Sequence, residues 1–229
     1  MKKYRKTILI SIFIYILIQA IYTGYHFKIA ADLTQVQYVQ DLKVGKGKVL
    51  KVFMSGDSIA AGVGASSFGT STSGRLVNYL SDNYYVDFVN EADSGTRMVD
   101  LIKKRLSGEK QDLIVLVVSS NDVFHFTDLE KFEEAAKRVL DKYSRLTDKL
   151  VLVGPGKVST APVLPLPVRY LYKIRESKYA DVLEKEARQY SNVIYIKPTD
   201  PPKGTFAADK FHPNDEGHKV WFEAIKSAI

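Results

Sequence analysis

The chain has 229 residues, a formal net charge of +7 and no cysteine. The lack of cysteine excludes disulfides, thiolate nucleophiles and cysteine-based metal sites. Lys2, Lys3, Arg5 and Lys6 precede the first apolar run and no acid lies in residues 1–27, so the remainder carries 7 − 4 = +3, too weak an excess to argue for a nucleic-acid partner.

The first element is the apolar run from Thr7 to Tyr25, TILISIFIYILIQAIYTGY, 19 residues without a charge. As a helix rising about 1.5 Å per residue it spans roughly the 30 Å of a bilayer's hydrocarbon. Tyr22 and Tyr25 suit the outer aromatic belt, and the basic residues before the run belong on the cytoplasmic side. The expected organisation is therefore a cytoplasmic tail over 1–6, a single-pass transmembrane anchor over 7–27, an extracytoplasmic stem over 28–48 and a domain over 49–229. Secretion after signal cleavage is the alternative. It calls for a shorter apolar region and a small-x-small site, whereas the candidates near Ala20 and Ala31 carry Ile at position −3.

The domain alternates strand-like and helix-like segments. Val49–Met54, Tyr85–Val89, Leu113–Val118, Val151–Val153 and Val193–Ile196 read as five strands. The third, LIVLVV, is a continuous apolar run of the kind buried on both faces of a sheet. Thr127-Asp-Leu-Glu130 reads as a capping box ahead of a helix whose apolar positions run from Leu129 to Tyr143. Residues 169–190 and 214–229 read as further helices. The Pro-rich stretch 155–167 reads as a long loop beside the site. The predicted fold is a three-layer α/β/α sandwich around a parallel sheet of about five strands, with its site in the loops at the strands' carboxyl ends.

Four segments in such loops can carry chemistry. Gly56-Asp57-Ser58 follows the first strand; a serine at a strand-to-helix turn exposes its hydroxyl and brings its own N–H as an oxyanion donor. Ala60 rules out the G-x-S-x-G elbow. Asn90–Gly95 follows the second strand and Ser119-Ser120-Asn121-Asp122 the third. A glycine N–H and an asparagine amide are donor types that an oxyanion hole uses. Asp209-Lys210-Phe211-His212 precedes the last helix, and an acid three residues before a histidine can hold its tautomer. Taken singly, each segment reads at least as readily as turn or helix-cap chemistry, and the first three more so. His26, His125 and His218 show no metal-ligand spacing with an acid, and His125, between Phe124 and Phe126, reads as packing or as pocket lining.

Together, and in this order, the four segments resemble the blocks of the SGNH/GDSL hydrolase family, from about Lys51 to Trp221. The resemblance implies Ser58 as nucleophile, Asp209 and His212 as its partners, and an oxyanion hole made of Ser58, Gly95 and Asn121. It implies neither metal nor cofactor. Ser119 and Ala92 stand where the family has or often has glycine, which bears on the shape of the hole. The activity implied is serine-esterase hydrolysis of short O-acyl or O-acetyl esters on cell-wall or capsular carbohydrate. The alternatives are a lipase or lysophospholipase acting on lipid esters, a polysaccharide O-acyltransferase using the same triad, and a non-catalytic glycan-binding module. The oligomeric state is not readable from the sequence.

Overall fold

A computed structural model describes residues 2–104, 106 and 108–229 of the chain. Helix α1 (Lys2–Leu33) opens it. Its side chains from Ile8 to Ile18 are largely exposed, Ile8 at 57% and Ile16 at 58%. A helix apolar all round with no protein over it suits a lipid surrounding. Tyr4–Leu33 is long and apolar enough to cross a membrane.

The stretch expected as a stem is more ordered than its sequence suggests. Helix α1 continues to Leu33, and strand β1 (Leu42–Gly45) pairs antiparallel with β3 (Tyr85–Asn90). Between them the chain is tied to the domain: the Tyr38 N–H donates to the Ala61 carbonyl at 2.7 Å, and Asp41 Oδ1 accepts the Asn90 N–H at 3.1 Å. A four-residue strand carries too few alternations to be read locally; pairing with β3 makes it.

The remaining strands are β2 (Val49–Gly56), β4 (Leu113–Val117), β5 (Leu150–Val153) and β6 (Val193–Ile196). The order is β1-β3-β2-β4-β5-β6, with every pair but the first parallel. All five predicted strands are present, and β1 makes the sixth. Side chains alternate strictly between faces. Phe53, Ile114, Leu116, Leu150 and Leu152 enter one buried layer, while Val52, Met54, Val115, Val117, Val151 and Val153 enter the other. Helices α3 (Met98–Leu101), α5 (Leu129–Ser144) and α6 (Leu166–Ala187) cover the first layer with Leu101, Phe132 and Tyr179; α2 (Thr72–Ser81) and α7 (Asp215–Lys226) cover the second with Leu76 and Phe222.

Helix boundaries moved where caps decided them. The α5 cap is Asp128 rather than Thr127: its carboxylate accepts the Lys131 N–H at 3.1 Å, and a negative charge there also favours the helix N-terminus. Helix α6 starts three residues earlier than read, with Pro167 in its first turn, where a missing N–H costs nothing. Asn214 caps α7. The Pro-rich stretch is for the most part a long connection, residues 154–165, containing one 3-10 turn, Val158–Thr160, and Val158, Ala161, Val163 and Leu164 are in the core.

Candidate active site

Strand β2 lies between β3 and β4, so the connections leaving it and β3 depart to opposite sides. That is a topological switch point, where an open α/β sheet leaves a crevice at the strands' carboxyl ends. Ser58 sits there, two residues beyond Gly56, half-buried. It does not open a regular helix as its sequence suggested. Residues 57–64 form successive turns, with the Ala61 N–H on the Asp57 carbonyl at 3.0 Å and the Val63 N–H on the Ser58 carbonyl at 2.9 Å; α2 starts only at Thr72.

The loop after β3 is fastened to this turn. The Asp93 N–H donates to the Gly56 carbonyl at 3.0 Å, and Asn90 Nδ2 donates to the Ala60 carbonyl at 3.2 Å. The loop after β4 is fastened in turn to the loop after β3. Asn121, on the short helix α4 (Ser120–Phe124), donates through Nδ2 to the Thr96 carbonyl at 3.2 Å, and Asp122 Oδ2 accepts the Met98 N–H at 2.8 Å. One Asn121 N–H is thus committed to orientation, and the amide retains a second. Helix α4 is preceded by Ser119 at φ +96°, the left-handed region that glycine occupies without cost. Its buried hydroxyl has no hydrogen-bond partner among the described residues. Replacing it by glycine, Ser119→Gly, should therefore raise stability by about 1 kcal/mol, a shift of roughly 2–4 °C in thermal melting; an unchanged or lower Tm would show that the backbone there is unstrained.

Asp209 and His212 share one tight loop. Asp209 Oδ1 accepts the N–H groups of Phe211 and His212 at 2.9 and 3.0 Å, and Oδ2 meets His212 Nδ1 at 2.5 Å. Burial pushes the Asp209 carboxyl up, but the His212 hydrogen bond and charge and the two N–H groups together hold it below the usual carboxylate range. Asp209 is fully buried and His212 nearly so. The Ala207 N–H donates to the His212 carbonyl at 2.8 Å, closing the loop.

Ser58 and His212 line one cavity of about 320 Å³. Its wall is mainly apolar: Val153, Val158, Ile196, Phe206, Val220 and Trp221. The Pro-rich connection supplies Gly156, Lys157, Val158, Thr160 and Ala161 to that wall. Gly95 and Asn121 are not on it; Gly95 lines a second, shallower cavity with Asp93, Asp100, Lys103 and Lys104. His125 is exposed against the Phe124 ring and on neither cavity.

Several supporting groups had no separate signal in the sequence. Asp57 is fully buried, and burial pushes it up to about 7 against the opposing pull of the Ile59 N–H and the His212 charge. Asp122 is pushed up to about 6 by burial. Ser120 Oγ accepts the Gly156 N–H at 3.1 Å and shares the Ser58 cavity. His218 is fully buried; its Nε2 meets the Val63 carbonyl at 3.0 Å and its Nδ1 the Thr72 hydroxyl at 2.9 Å, so α7 is pinned to the turn that carries Ser58. Burial drives His218 down to about 4. Its folded pKa lies below its unfolded value of 6.5, so its contribution to stability is complete above pH 6.5 and is lost as pH falls towards 4. The raised carboxyls of Asp57 and Asp122 act with the opposite sign over the same range, so the effect is isolated by a difference. Between pH 7 and 4 the stability gap between wild type and His218→Gln should narrow by on the order of 3 kcal/mol in urea unfolding. A constant gap would mean that His218 keeps its unfolded-state pKa in the folded protein.

Loops from five parallel strands that converge on one switch point of a three-layer sandwich are the layout of an SGNH-type hydrolase. The chain matches the family model of the GDSL-like lipase/acylhydrolase family over residues 54–220. It therefore belongs to the GDSL-like lipase/acylhydrolase family and is a carboxylic ester hydrolase. Solved structures of similar fold include Axe2, an acetylxylan esterase from Geobacillus stearothermophilus, at 20% identity over 82% of this chain and 96% of that chain, with a TM-score of 0.59. A catalytic mutant of Axe2 aligns at 20% identity over the same shares with a TM-score of 0.62. LAE5, an α/β hydrolase from the metagenome of Lake Arreo, Spain, aligns at 18% identity over 80% and 95% of the two chains, with a TM-score of 0.60. No curated protein matches the chain significantly.

Proposed function

We propose that the chain is a membrane-anchored serine esterase that removes short O-acyl groups, acetyl foremost, from extracytoplasmic cell-wall or capsular carbohydrate. The observation that carries it is the Asp209–His212 pair at 2.5 Å on a loop whose histidine shares a cavity with Ser58. In this reading His212 takes the Ser58 proton as Oγ attacks the ester carbonyl. The developing oxyanion is held by the N–H groups of Ser58 and Gly95 and the free Asn121 N–H. His212 then protonates the leaving alcohol, and water repeats the cycle on the acyl-enzyme. Asp209, held ionised, orients the imidazole and stabilises its charged form. The steps call for neither metal nor cofactor.

The location rests on α1, whose basic start and apolar span fit a single pass with the domain outside. The carbohydrate rests on that location and on the fold shared with Axe2, an acetylxylan esterase. One observation favours a second reading, a lipid-ester hydrolase. A mainly apolar cavity of about 320 Å³ beside Ser58 is about twice one that holds a benzene, and an acetyl group leaves most of it empty.

The test is chain-length preference of the full chain in detergent, together with acetate release from acetylated xylan and acetylated peptidoglycan. Faster turnover of p-nitrophenyl acetate than of the octanoate, with acetate released from a polymer, supports the first reading. A tenfold or greater preference for octanoate without polymer deacetylation replaces it by the second.

A further inference from the structure

The outer end of α1 is joined to the domain beside the active site. Thr23 donates to the Val163 carbonyl at 3.2 Å, His26 Nδ1 meets the Ala208 carbonyl at 3.1 Å, and the Phe27 ring packs edge-on to Phe124 at 6.1 Å. Ala208 directly precedes Asp209, and Phe124 packs on Phe211, which packs on His212. Thr23 still lies within the uncharged stretch, two residues before its end at Tyr25, or about 3 Å along a helix. On the anchor reading of α1, the chain at Val163 therefore stands near the level where the span leaves the hydrocarbon.

Helix α6 starts three residues later, and its first half is unlike the rest of the domain surface. Leu166 is 72% exposed, Tyr170 69%, Leu171 45% and Ile174 42%. Leu166, Tyr170 and Ile174 follow one another at four-residue spacing, so they share one side of the helix. Phe126, 47% exposed, lies beside this half with its ring under the Arg175 guanidinium at 4.3 Å. Interspersed are Arg169 and the exposed Lys173 and Lys178, and the one acid as far as Lys178 is the buried Glu176. The second half turns acidic and pairs with protein lysines: Asp181 with Lys197 at 2.9 Å, and Glu184 with the same lysine at 3.6 Å.

We propose that the first half of α6, with Phe126, rests in the headgroup layer of an anionic bilayer and holds the domain against the membrane. Exposed apolar side chains interleaved with lysines are the composition of an interfacial helix, whose apolar groups enter the acyl boundary while the amines stay at the phosphates. Continuity with α1 puts that boundary at this face. The inference rests on the anchor reading of α1, and the experiment tests the two separately.

The chain is free of cysteine, so single labels report single positions. Full-length Leu166→Cys, Tyr170→Cys, Ile14→Cys and Asp148→Cys, each carrying an environment-sensitive dye, are reconstituted in nanodiscs of phosphatidylcholine with and without phosphatidylglycerol. Asp148 lies at the amino end of β5, away from the site, with its side chain 80% exposed. The expected result is that labels at 166 and 170 are at least about threefold less quenched by an aqueous quencher than the label at 148, and more strongly so with phosphatidylglycerol. Equal quenching at 166, 170 and 148 with the Ile14 label shielded overturns this inference and leaves the anchor standing. An Ile14 label as accessible as that at 148 overturns both. Shielding at 166 and 170 that persists in detergent and rises with protein concentration assigns the face to a second copy, and also overturns the proposal.

Discussion

Ser58→Ala is expected to abolish ester hydrolysis by the full chain, whereas Asn121→Ala is expected to leave a measurable remainder. In the proposed mechanism this variant leaves His212 no nucleophile to activate, and the loss expected for a triad acting as one unit is about 10⁶-fold in kcat, in practice the assay background. In the proposed mechanism Asn121 supplies one of three hydrogen bonds to the oxyanion, so its loss is expected to cost about 10²–10³-fold. Both substitutions delete only side-chain atoms of half-buried residues, and circular dichroism should be unchanged. The comparison is made with p-nitrophenyl acetate and with p-nitrophenyl octanoate. If Ser58→Ala keeps more than a few per cent of wild-type turnover on both, the nucleophile lies elsewhere. If Asn121→Ala turns over normally, its amide serves only to hold the Thr96 carbonyl.

Gly56→Ala is expected to unfold the domain or lower its Tm by about 10 °C or more, while Gly95→Ala remains folded. A Cβ on Gly56 would stand 1.9 Å from the Val117 carbonyl oxygen, at the carboxyl end of the parallel β2–β4 ladder. The Asp57 N–H donates to that same oxygen at 2.9 Å, so neither strand can give way without breaking the pairing that sets Ser58 at the switch point. Backbone overlap of this kind belongs with the severe single substitutions, about 4 kcal/mol or more. A Cβ on Gly95 meets nothing within 4 Å, and only its φ of +88° opposes the change, a cost of roughly 1–2 kcal/mol. Melting curves of the two variants measured side by side separate the cases. Equal Tm losses would mean that close strand approach at Gly56 is not the constraint.

Much of this protein was legible along the chain because the signals were local. Five strands were readable from short runs rich in Val, Leu and Ile, most plainly β4 and β5, where burial on both faces leaves no polar residue. The apolar span was readable from its length and lack of charge. The four chemical segments and their order were readable because each depends on a few residues in one loop, such as Asp209 and His212 three positions apart, and their order carried the family assignment. Other features depend on partners far away in sequence, which no local pattern reveals. Strand β1 forms because β3 offers a free edge, and nothing in Leu-Lys-Val-Gly requires it. The turn after Gly56 is irregular because the loops from β3 and α7 tie it down through Asp93, Asn90 and His218. The apolar cavity beside Ser58 exists because Val153, Ile196 and Trp221, some seventy residues apart at the extremes, face the same void. The raised carboxyl of Asp57 follows from burial under a sheet that the sequence does not display. The seat of α1 against the Asp209 loop rests on Thr23, His26 and Phe27 meeting groups about 100 to 180 positions away. The sequence alone determines which residues can do chemistry, since side-chain type is local. Their shared cavity and their closeness to the end of the apolar span were decided by the packing of distant segments, which only the folded chain possesses.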